Sequence, residues 1–170
     1  VITPEFVAAI RKQSGDRKEP WTEAELEERE PPKRANRSEW KLTASHGSGN
    51  LGGCVDGNKG SRWDSGGSQT PGMWVQVEFP EVSRINRIVL DASGSSRDYP
   101  RGYEVRVSAD GKTWSDPVAK GAGRHPVTDI GFPNVEGKFV RLIQTGSVNG
   151  LYWSIHEMEV FGKEVFKDEG

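Results

Sequence analysis

Cysteine is almost missing from this chain of 170 residues. Cys54 stands alone, so no internal disulfide can close the fold. Histidine is scarce as well, and His46, His125 and His156 show no metal-ligand spacing. No apolar run approaches the roughly 20 residues that a membrane-spanning helix needs, which argues against membrane insertion. A formal net charge of -2 leaves no electrostatic case for a nucleic-acid partner. The opening Val1-Ile2-Thr3-Pro4-Glu5 has no initiator Met, no basic start and no apolar signal core, so a piece of a longer protein is expected. No spacing nominates a carboxylate pair for glycoside hydrolysis, and Cys54 has no basic neighbour in sequence to activate it. A non-catalytic chain is the expectation.

What the sequence does contain is unevenly spread. Only Gly15 falls in the first 45 residues, whereas eight glycines crowd between Gly47 and Gly67. Thr3-Pro4-Glu5 offers an N-cap and a proline at the first helical position, and Thr22-Glu23-Ala24-Glu25-Leu26 offers a second start that Pro31-Pro32 ends. Residues 1–35 are therefore expected as a charged helical arm or linker, too poor in apolar residues to form a core. Beyond Ser38 the period changes. Met73, Val75, Val77 and Phe79 alternate with Trp74, Gln76 and Glu78, as do Tyr103, Val105 and Val107 with Glu104, Arg106 and Ser108. Ile85 to Leu90 and Phe139 to Ile143 read as further strands, and Asp110-Gly111 as a tight turn. Many short strands with glycine-rich connections point to an all-β antiparallel sandwich. Trp63, Trp74 and Trp114 read as core, although sugar-binding and interface surfaces also favour aromatics.

Five segments occur in a telling order. They are Cys54-Val55-Asp56-Gly57-Asn58-Lys59-Gly60-Ser61-Arg62-Trp63, Trp74 to Phe79, Tyr103 to Trp114, Phe139 to Leu142, and Tyr152-Trp153-Ser154-Ile155-His156-Glu157-Met158-Glu159-Val160-Phe161-Gly162. Together they resemble the coagulation factor 5/8 type C (discoidin) family, including the galactose-binding-like, family 32 type carbohydrate-binding modules of bacterial enzymes. The resemblance implies an eight-stranded jelly-roll β-sandwich over residues 36–163, with 164–170 as a tail. Animal members usually close the domain with a disulfide, so a bacterial module is expected. It would belong to a larger exported protein, placed in an extracellular, periplasmic or cell-surface location.

The resemblance also implies a structural Ca²⁺. Its ligands, carried over by position, are Asp56, Ser61 and Glu157, with backbone oxygens of Cys54, Asn58 and His156. Ser61 stands where the family usually has Thr. The bend itself suits a hard cation that takes six to eight oxygens, and a metal-free turn is the other reading. The ligand rim is expected in the loops Ser45–Gly53, Asp64–Gly72, Asp91–Arg101, Lys120–Pro126 and Thr145–Trp153. Tyr152 matches an aromatic that stacks on galactose in related modules, and Trp153 is either a second platform or a core plug. His46, Asn50, Asp64, Arg97 and Asp98 are the polar candidates. Galactose-binding relatives carry a His where this chain has Asp64, and an Arg where it has Ala92 and Ser93.

These residues imply a carbohydrate partner, an oligo- or polysaccharide that is galactose-containing or acidic. Arg97, Arg101, Lys120, Arg124 and His125 would serve an acidic chain if they converge, since Arg pairs oxyanions bidentately; otherwise they are solvated surface charges. The rival expectation is a protein–protein or domain–domain module of adhesion type, partnered by other domains of the parent protein.

Overall fold

The alternating residues become strands that bury one side each. The computed structural model describes residues 37–164. The helical arm over 1–35 lies outside the described residues, as does the tail apart from Glu164. The strands are β1 (Lys41–Ala44), β2 (Trp63–Asp64), β3 (Trp74–Asp91), β4 (Tyr103–Ser108), β5 (Ala119–Gly121), β6 (Val127–Gln144), β7 (Ser154–Ile155) and β8 (Glu157–Glu164). Short 3-10 turns cover Arg37–Glu39, Ser48–Cys54 and Ser93–Asp98.

Two long strands serve both layers. The first part of β3 pairs β1 and the last part of β6, and β6 in turn pairs β4, which pairs β5. The second part of β3 lies between the first part of β6 and β8. Counted by segment, this gives five strands in one antiparallel layer and three in the other, the eight of the expected jelly roll. A small β2–β7 ladder joins Trp63 to Ile155 and Asp64 to Ser154.

The two strands expected at 73–79 and 85–90 are thus one. The ladder breaks between Glu78 and Ser83, around Pro80, which has no N–H to give. A second irregularity places Asn86 as an extra residue, since Ile85 faces Gly162 and Arg87 faces Phe161. One inserted residue reverses which side chains point inward. Burial follows: Val75, Val77, Phe79 and Ile85 are buried before the bulge, Ile88 and Leu90 after it.

The core is aromatic at both ends. Trp63 meets Trp153 edge-on at 5.1 Å, and Trp40 meets Phe79 edge-on at 5.4 Å. Trp74 and Trp114 correct the expectation of core tryptophans. Both are half-buried on the outer side of the larger layer, where the Arg141 guanidinium lies 4.1 Å from one ring and 4.4 Å from the other.

Candidate functional site

Two buried amides tie the rim loops together. Gln69, 1% exposed, donates from Nε2 to the carbonyls of Tyr99 and Tyr152, and its Oε1 accepts from the Arg101 amide. Gln144 accepts from the amides of Gly102 and Gly146. Three loops that are far apart in sequence are thereby fixed at one end of the sandwich. Gly47 brings in a fourth: its φ of 61° is left-handed, and a Cβ there would sit 1.9 Å from the Asp64 carbonyl oxygen. The Trp63 indole N–H donates to the His46 carbonyl at 3.0 Å across this contact.

Alternation decides what the rim shows. Trp153 and Ile155 point into the core and are fully buried, so Trp153 is a core plug and not a sugar platform. Tyr152 points the other way and is the one exposed large hydrophobic among the described residues, at 41%. On its side of the β2–β7 ladder lies a charged network. Arg62 Nη1 reaches Ser95 Oγ at 2.9 Å, Ser154 Oγ at 3.2 Å and Asp98 Oδ2 at 3.3 Å, while Ser154 Oγ donates to Asp98 at 2.7 Å. Arg62 Nε also pairs Asp64 Oδ2 at 3.3 Å, and Asp64 Oδ1 accepts the Gly66 amide at 2.9 Å.

The expected ligand residues therefore divide. Asp98 is buried and neutralised, which corrects its placement as a sugar contact: it holds Arg62 and Ser154. Asp64 is partly covered yet lies beside Tyr152's face of the ladder. His46 is exposed, with Nδ1 2.8 Å from Ser45 Oγ. Arg97 is exposed, and its carbonyl accepts from Arg101. Asn50 falls in the Ser48–Cys54 turn of the first rim loop. Arg62, Gln69 and Gln144 were missed by sequence reasoning, because a buried amide or paired guanidinium carries no motif.

Within the proposed oxyanion group, Arg101 is engaged inside the chain. The Arg101 guanidinium stacks on Tyr99 at 3.8 Å and donates to the carbonyls of Tyr99 and Arg97. Lys120 is part of β5, opposite Glu104, and His125 packs edge-on against Tyr99 at 6.1 Å. Arg124 is exposed, with its backbone held by Thr128.

The residues expected around calcium form a second centre. Asp56 Oδ1 accepts the Asn58 amide at 2.9 Å; that bond first, and then the Ser61 hydroxyl, holds its carboxyl below the ordinary range. The Asn58 carbonyl is engaged by the Ser61 amide at 3.0 Å. His156 Nδ1 donates to the Lys59 carbonyl at 2.6 Å, which leaves Nε2 to accept from Ser95 Oγ at 2.9 Å. Gly94 is required beside it, since a Cβ there would come within 2.4 Å of the imidazole. Lys59 pairs Asp91 at 3.1 Å. Cys54 is fully buried; burial first, then the charge of Glu157, pushes its thiol up to about 12. Glu157 itself faces Arg37, whose Nη1 binds Oε2 and donates to the Met158 carbonyl at 3.0 Å, with Nη2 3.5 Å from Oε1. Both oxygens of Glu157, the carboxylate expected from the last strand, are thus turned to a guanidinium. Among the described residues no three His, Cys, Asp or Glu form a metal-binding group. With Glu157 paired to Arg37, and oxygens of Asp56 and Asn58 engaged by turn amides, this donor set does not fit a calcium ion.

Comparison with known proteins agrees with this architecture. The F5/8 type C domain model matches residues 35–158. A galactose oxidase of Gibberella zeae is 28% identical over 137 residues, which cover 74% of this chain and 20% of that protein. Chitosan-binding module 2 of a chitosanase/glucanase from Paenibacillus sp. IK-5, solved with chitotriose, is 27% identical. Its TM-score is 0.62, over 73% of this chain and 97% of that one. A family 32 carbohydrate-binding module from C. perfringens, solved with galactose, is 20% identical with a TM-score of 0.63, over 73% of this chain and 94% of that one.

Proposed function

The chain belongs to the F5/8 type C domain family, and we propose that it is a non-catalytic carbohydrate-binding module with its sugar platform at Tyr152. One observation carries this reading. Among the described residues one large apolar side chain, the Tyr152 ring, is exposed, on a rim whose loops are tied together by buried Gln69 and Gln144. A flat ring covers the C–H face of a sugar, and convergent polar groups orient its hydroxyls. Tyr152 supplies the ring; Asp64, His46 and Arg97 supply the polar contacts. Asp98 and Arg62 stay beneath, keeping Asp64 in place.

The ligand class is an oligo- or polysaccharide. Asp64 replaces the His of galactose-binding relatives with an acceptor, which suits hydroxyl donors and protonated amines alike. The likeness to a chitosan-binding module supports an amino-sugar chain over galactose. As a part of a larger, exported protein, the domain would hold an attached carbohydrate-active enzyme on its polysaccharide. The curated relatives are about five times longer than the stretch they share with this chain, in keeping with such an arrangement.

Calorimetric titration with chitotriose, galactose and a uronic-acid oligosaccharide tests the reading. Binding of at least one of them is expected, with Tyr152→Ala weakening it tenfold or more, a loss of about 1.4 kcal/mol. Asp64→Ala should weaken it too. No binding to any glycan by folded protein would count against the proposal. It would favour a domain–domain module instead, for which half-buried Trp74 and Trp114 on the open layer supply a surface.

A further inference from the structure

The second centre holds a cation of its own. Glu157 is 6% exposed, and a carboxylate that deep needs a positive partner. Arg37 provides it from 120 positions away in the chain. Its fork binds β8 and lies close to the turn at Gly57. Nη1 touches the Glu157 side chain and the Met158 carbonyl of β8; Nη2 lies 3.9 Å from where a Cβ on Gly57 would be. The residue's own backbone is anchored, because its carbonyl accepts the amide of core residue Trp40 at 3.1 Å. Asp56 lies within the same field, since Arg37 is among the charges that stabilise its ionised form.

We propose that Arg37 is the built-in cation of this domain: its guanidinium joins the Asp56–Ser61 turn to Glu157, and the sandwich closes without calcium. A divalent ion cannot simply be added. It would stand against a guanidinium that already neutralises Glu157, and like charges at contact distance in a half-buried site repel strongly. It would also have to recover carbonyl and carboxylate oxygens now engaged by Arg37 and by turn amides. The guanidinium fork suits the task, because it binds a carboxylate and a carbonyl together in one plane.

Thermal denaturation of the whole chain, in millimolar calcium chloride and in EDTA, tests this independently of any sugar. Wild type should melt at the same temperature in both, and calorimetric titration with calcium chloride alone should show no site. Arg37→Ala should melt roughly 5–10 °C lower, as expected when one partner of a largely buried pair is removed. Calcium should then restore part of that loss, because Glu157 and Asp56 are left without their cation. Arg37→Lys keeps the charge but not the fork, and should fall between wild type and Arg37→Ala. If Arg37→Ala does not fold, the wild-type titration and Arg37→Lys still decide. A wild-type midpoint that rises several degrees with calcium would overturn the proposal. So would an Arg37→Ala protein that melts with wild type, or one that calcium leaves unmoved.

Discussion

Residues 152 and 153 part company because successive side chains of an extended segment leave on opposite sides. Trp153→Ala would empty a fully buried site against Trp63 and should cost about 3–5 kcal/mol in denaturant unfolding. Tyr152→Ala, at an exposed position, should change stability by no more than about 0.5 kcal/mol. Cys54 should resist thiol reagents such as DTNB in the native state and react on unfolding, because its thiol is pushed up to about 12. Acid should find a different weakness. Burial alone would raise Asp91, but hydrogen bonds from Ser93 and the Lys59 ammonium outweigh it and hold the carboxyl low, as amide and hydroxyl donors do for Asp56. Depressed folded values give stability that is present above the unfolded carboxylate pKa of about 3.9, and lost as pH falls through the lower native values. The thermal midpoint should hold from pH 7 to about 5 and drop below about 4, with Asp91→Asn giving a shallower acid limb. At this scale the sequence exposed Tyr152 through its family position, while Trp153 stayed open because nothing local says which side of a strand faces the core. Asp98 was misjudged for a related reason: its partner Arg62 lies 36 residues away, in another loop.

Elements were more legible than sites. Alternation from Met73 to Phe79 and from Tyr103 to Val107 marks half-buried strands directly, and both are strands with that burial. The irregular run Ile85, Ile88, Leu90 already contains the bulge, because strict alternation fails at Asn86. That β3 continues past Pro80 was not legible, since continuity there is set by pairing with β6 and β8 and not by local preference. The glycine-rich stretch from Gly47 to Gly67 read as rim loops and a cation-binding bend, yet Gly47 is where one loop rests on β2. Gly47→Ala combines a left-handed backbone with a 1.9 Å clash against Asp64. It should weaken sugar binding and lower the thermal midpoint together, in contrast to Tyr152→Ala, which should move binding alone.

For the whole molecule, the fold supplies a fixed rim and a closed core, and the family match over residues 35–158 says which kind of domain this is. On the proposed reading, a single ring with a few polar contacts would make a weak site, and its effect would depend on attachment. Tethered to an enzyme, modest affinity becomes a high local concentration on a polysaccharide. Charge contributes little at this scale, since the net value is -2 and the rim's guanidinium of Arg101 is spent on Tyr99 and two carbonyls. On the proposed reading, Tyr152 is a sugar platform. A glycan array spanning neutral, amino, sulfated and uronic-acid saccharides, probed with wild type and Tyr152→Ala side by side, tests it most directly. The expected result is a defined set of wild-type hits that the equally stable variant loses. A blank array from folded wild type, or hits that survive Tyr152→Ala unchanged, would contradict it.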